Sequence, residues 1–142
     1  MANNIQLKTQ GLDLVLEILR RERTDDSFYG DQLVSRINAV MPGFTAAYSF
    51  ELATEELVRF AKELGTLQQN LGTEAIAQLR NFDSAIELTF KLLRTGQIQG
   101  EVRFRNPDTR AELSAEFEAD QTYLMPLSNQ IRAVLEDLAV KF

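Results

Sequence analysis

The sequence predicts an α+β fold, with antiparallel strands in a sheet, a helix in the middle of the chain and a long helix at its end. Three observations carry this. Residues 86–119 alternate apolar with charged or polar residues in three successive runs, the period of strands with one covered and one wet face. Residues 54–64 and 124–142 instead repeat apolar residues at three and four, the stripe of an amphipathic helix. The 142-residue chain is 44% hydrophobic, enough for a single domain over residues 1–142 with a sizeable core.

Taken in order, the first forty residues admit two readings. In "LDLVLEILRRE" a strand would align Leu12, Leu14, Leu16 and Ile18. A helix would align Leu12, Val15, Leu16 and Leu19, with Glu17 and Arg21 paired at four. "DQLVSRINAVMPG" is equally ambiguous, so periodicity alone leaves segments 12–22 and 31–41 open. Between them "RTDDSFYGDQ" gathers three acids around Phe28 and Tyr29, as a hairpin loop or an aromatic-tipped acidic epitope. "FTAAYSFEL" alternates Phe44, Ala46, Tyr48, Phe50 and Leu52 and reads as a strand. Next comes a helix with Thr54 as cap, Glu55 and Glu56 at the positive end of its dipole, and Leu57, Phe60, Ala61 and Leu64 as its stripe. Gly65 is its expected stop, although Leu67 and Leu71 can carry it further. "EAIAQLR" is a short strand after the Gly72 turn.

The meander is the clearest part. Ile86, Leu88, Phe90 and Leu92 alternate in the first strand, Ile98, Gly100, Val102 and Phe104 in the second, and Ala111, Leu113, Ala115 and Phe117 in the third. Turn residues "RTG" and "NPD" join them. In the last helix Leu124, Leu127, Ile131, Val134, Leu135, Leu138 and Phe142 form one stripe. Asp120 or Thr122 caps it, and Pro126 falls in the first turn, where its missing N–H costs nothing. The meander's apolar face is the expected resting place for this stripe.

Composition excludes much chemistry. With neither cysteine nor histidine, the chain has no thiol nucleophile, no imidazole base and no soft metal ligand. It has no glycine-rich phosphate loop, since "GQIQGE" lacks the third glycine and the lysine ending. Ser114 lies on a wet strand face and in no nucleophile elbow. The acids Glu112, Glu116 and Glu118 share their face with Arg103, Arg105 and Arg110, which reads as cross-strand pairing. The expectation is therefore no catalytic residue, no cofactor and no metal site. The opening "MANNIQLKTQG" lacks the charged and apolar regions of a signal peptide, and Asp13 and Glu17 break the longest apolar run. A cytoplasmic protein with no membrane span is expected. A net charge of −6 and a pI near 4.7 disfavour nucleic acid and favour a basic protein partner, while also serving solubility. The expected contact residues are Asp25, Asp26, Phe28, Tyr29 and Asp31 of the acidic loop.

The order of segments, and in particular "GFTAAYSFELATEELVRFAKEL", "IQGEVRFR" and "FEADQTYLMPLSNQIRAVL", resembles the WapI family of bacterial immunity proteins. The resemblance implies a curved antiparallel β-sheet with a middle helix and a long C-terminal helix packed on one face, and it favours strands for residues 12–20 and 33–40. It also implies a non-catalytic protein that binds and blocks a toxin domain delivered by a competing bacterium. The matched segments are structural, so no site residue carries over. Two other classes compete with this reading. One is an accessory or structural domain, as a homodimer pairing through a sheet edge. The other is a small-ligand carrier using space between helix and sheet.

Overall fold

The computed structural model describes residues 3–23 and 30–140. Both ambiguous segments are strands. The element order is β1 (Asn3–Thr9), β2 (Leu12–Arg23), β3 (Asp31–Met41), β4 (Phe44–Ala53), α1 (Thr54–Gln69), β5 (Ala75–Arg80), β6 (Ile86–Leu92), β7 (Gln97–Arg105), β8 (Glu112–Asp120), a 3-10 turn (Gln121–Tyr123) and α2 (Leu124–Asp137). In β2 the strand set Leu12, Leu14, Leu16 and Ile18 is buried, while Val15 and Leu19 are only half-buried. The ladder to β3 slips by one residue after Ile18, where Ser35 is its partner and Val34 is already opposite Arg20. This bulge breaks the alternation at Leu19, which is what lets the same residues read as a helix. β1 drew no expectation from sequence. Its Ile5 and Leu7 are buried opposite Leu16 and Leu14.

The strands divide into two four-stranded antiparallel sheets, β1-β2-β3-β4 and β5-β6-β7-β8, each in sequence order. The α1 helix interrupts the ladder between them. Each half of the chain is thus four strands and a helix, an internal repeat visible afterwards in "IQLK" of β1 and "AQLR" of β5. The helices are exchanged between halves. From α1, Glu63 accepts the backbone N–H of Gln78 on β5 at 2.8 Å. From α2, the Gln130 side chain accepts the N–H of Gln6 on β1 at 2.8 Å and donates to its carbonyl at 3.0 Å.

This exchange corrects the expected packing of the last helix. Although Leu127, Ile131 and Leu135 are buried as expected, α2 lies along β1 and beside α1. The ring stacked on Phe90 of the meander comes from Phe60 of α1, with centroids 6.0 Å apart. The inner faces of both sheets and both helices share one apolar core. The void among Leu7, Leu16, Phe60, Leu88 and Ile131 is about 20 Å³, room for no more than about one water. That void is too small for the ligand expected of a small-ligand carrier.

The helix ends differ from expectation in detail. Ala53, not Thr54, is the α1 cap residue, and Glu56 accepts its N–H at 2.8 Å. The Thr54 hydroxyl donates instead to the Asp31 carbonyl at 3.3 Å. Gly65 does not stop the helix, because Leu67 one turn on from Leu64 is also buried and holds it to Gln69. Asp120 accepts the Thr122 N–H at 2.8 Å and so caps the short turn that leads into α2. Phe142, expected to end the α2 stripe, lies outside the described residues.

Candidate functional site

β2 and β3 pair up to Arg23 and Asp31, so the acidic segment between them is the connection of a hairpin. Of the expected contact residues, Asp25, Asp26, Phe28 and Tyr29 lie outside the described residues. Asp31 is at the base. Its carboxylate receives two parallel bonds from the Arg21 guanidinium, Nε to Oδ1 at 2.8 Å and Nη2 to Oδ2 at 2.6 Å. Arg21 also donates through Nη1 to the carbonyls of Leu138 at 3.0 Å and Ala139 at 3.1 Å. One side chain therefore ties the loop base to the end of the last helix. The Arg21 guanidinium holds the Asp31 carboxyl below the usual carboxylate range. Asp31 is thus an ion-paired residue at the start of β3 rather than a free acid.

The second surface is the outer face of the β5–β8 sheet, a shallow concavity of about 570 Å³. Its charges are sorted by register. Glu87 lies between Arg80 at 3.1 Å and Arg103 at 3.2 Å, and Arg105 faces Glu112 at 3.8 Å. The expected cross-strand pairing is present, with the correction that Arg103 goes to Glu87 of β6 and not to an acid of β8. Arg110 sits in the preceding turn at φ +64°. One row further along, Glu101 is directly opposite Glu116, two like charges on adjacent strands. Such a pair opposes folding locally and leaves negative potential on the surface.

The third feature is a sheet edge. Gln130 covers β1, Glu63 covers β5, and Gln10 reaches β8 through a bond from the Glu118 N–H at 3.4 Å. On β4 the carbonyl of Glu51 points away from β3, since it accepts from the Asn81 amide at 2.9 Å. By the alternation of an antiparallel ladder, the N–H and C=O groups of Ser49, Ala47 and Thr45 point the same way. These three residues are exposed, and no partner for those groups occurs among the described residues. The sequence carried a signal for this edge that the alternation pattern hides, namely the absence of any charge from Phe44 to Phe50.

Among the described residues no group of three or more acidic side chains is placed to hold a metal ion. No helix there is long and apolar enough to cross a membrane.

The model of the Immunity protein WapI-like family matches residues 5–139. No curated protein matches the chain. Among solved structures, the plant transcriptional regulator PBF-2 is similar with a TM-score of 0.50 and 10% identity, covering 98% of this chain and 83% of that one. WHY1 from Arabidopsis thaliana is similar with a TM-score of 0.49 and 12% identity, covering 97% and 91%. At 10% identity the likeness to PBF-2 is one of fold alone.

Proposed function

The chain belongs to the Immunity protein WapI-like family, and from that premise we propose that it neutralises a cognate toxin domain by binding and blocking it, without catalysis. The family match over residues 5–139 is the observation that carries this reading. The chain's own chemistry supports it. A sequence with no histidine and no cysteine offers neither of the commonest acid–base and nucleophilic groups. The net charge of −6 and the opposed Glu101 and Glu116 favour a basic protein over nucleic acid, and the proposed setting is the bacterial cytoplasm.

The acidic loop is the proposed first contact. Asp25 and Asp26 would steer the encounter, while Phe28 or Tyr29 would supply the anchor that slows dissociation. Asp31 supports the loop from below through Arg21. The test is co-expression with the toxin encoded beside its gene, once with the wild type and once with Asp25, Asp26, Phe28 and Tyr29 changed to alanine. Leaving Asp31 intact spares the hairpin base. Growth with the wild type and toxicity with the folded variant support both family function and site. Toxicity with the wild type rejects the function. Growth with both rejects the loop alone and moves the contact to the outer face around Glu101 and Glu116.

A further inference from the structure

β4 stands apart from the other edges. The outward rungs of β8 carry Glu116 and Glu118, and a second copy laid alongside would meet its own charges. Beyond Glu51, whose outward carbonyl is already taken by Asn81, the outward rungs of β4 are Thr45, Ala47 and Ser49, all uncharged and small. On the inner face of the same strand Phe44 is 61% exposed, although its cross-strand partner Met41 is only 6% exposed. An aromatic ring on the core side of a sheet, left in water at an unpaired edge, is a surface in want of cover.

We propose that two copies of the chain join by antiparallel pairing of β4 with β4, centred on Ala47. The register follows from the sequence itself. With Ala47 opposite its own copy, Thr45 faces Ser49, Ala46 faces Tyr48 and Phe44 faces Phe50. Each large inner-face residue meets a small one or another aromatic ring, and the two hydroxyls meet on the outer face, a favourable cross-strand pair. Every outward N–H and C=O from Thr45 to Ser49 then finds a counterpart, and the two β1–β4 sheets become one continuous sheet. The contact is isologous and closes on itself, so it ends at the dimer. This goes beyond toxin binding and stands or falls independently of it.

The cysteine-free chain makes the test direct. Ala47→Cys places two sulfurs on residues whose Cα atoms are about 5.5 Å apart in such a pair, within disulfide range. Ser114→Cys, on the exposed edge of β8, is the control. Sedimentation equilibrium of the wild type should give the mass of two chains, falling to one on dilution. Under mild oxidation Ala47→Cys should run as a covalent dimer, while Ser114→Cys should stay monomeric. Ala47→Glu, checked for folding by circular dichroism, should have the mass of one chain. The cysteine pair decides the matter alone if the glutamate variant fails to fold. A wild type of one-chain mass up to its solubility limit overturns the dimer. Equal cross-linking of both cysteine variants overturns the edge.

Discussion

Arg21 grips Asp31 with two parallel bonds and, with its remaining nitrogen, the carbonyls of Leu138 and Ala139. The acidic hairpin and the end of α2 therefore share one support. Arg21→Met should destabilise the chain by about 1–2 kcal/mol, at the lower end for bonds to a charged group because Asp31 keeps contact with water. Because the folded state holds the Asp31 carboxyl below its unfolded value, its contribution is present above that unfolded value. It is lost as pH falls through the folded one. Urea unfolding should show wild type and Asp31→Asn differing at pH 7 and converging in acid.

Glu56 has the opposite sign. Burial pushes its carboxyl up, although the Ala53 N–H and the Asn81 amide both donate to it. Asn81, 1% exposed, also bonds the Glu51 carbonyl and accepts from the N–H groups of Asp83 and Ala85 at 3.1 Å each, so it links the two halves. A raised folded value means that stability is fully present below the unfolded value and falls as pH rises through the folded one. Glu56→Gln should remove that fall. Melting curves from pH 4 to pH 7 should decline less for the variant than for the wild type. Asn81→Ala should cost about 1–3 kcal/mol by leaving buried groups unpaired.

Gly100 lies under the ring of Phe117, which meets Phe90 edge-on with centroids 5.6 Å apart. A Cβ there would come within 2.2 Å of the ring. Gly100→Ala should cost about 1–3 kcal/mol through overpacking, measured by chemical unfolding. A neutral result would mean that the ring has another place to go.

Leu135 is fully buried in α2. Truncation to alanine should cost about 2–5 kcal/mol, and the loss should appear in the same single unfolding transition if both halves share one core.

The meander was legible because its three strands keep strict alternation and end in turn residues. The β2 strand was not, because the bulge at Leu19 spoils the alternation, and the short β1 was masked by its polar neighbours. Helix positions were readable from their stripes, but the choice of surface each stripe covers was not. That choice goes with the exchange of α1 and α2 between halves, where Glu63 and Gln130, half-buried polar residues outside the apolar stripes, bond the strands each helix covers. The cap at Ala53 was hidden for a similar reason, since Glu56 does the capping and Thr54 is turned towards Asp31. Of the candidate site, the charge and the hairpin were visible in sequence. The ion pair of Asp31 was not, because its partner Arg21 is ten residues away across a strand pair.

The most direct test of the proposed function is association with a candidate toxin domain sought beside this gene, followed by stopped-flow mixing of the two purified proteins at rising salt. The expected result is a complex in which the toxin loses its activity. Its association rate should fall as added salt shortens the reach of the field to about 8 Å at physiological ionic strength. No complex, with toxin activity undiminished by an excess of the folded chain, would contradict it.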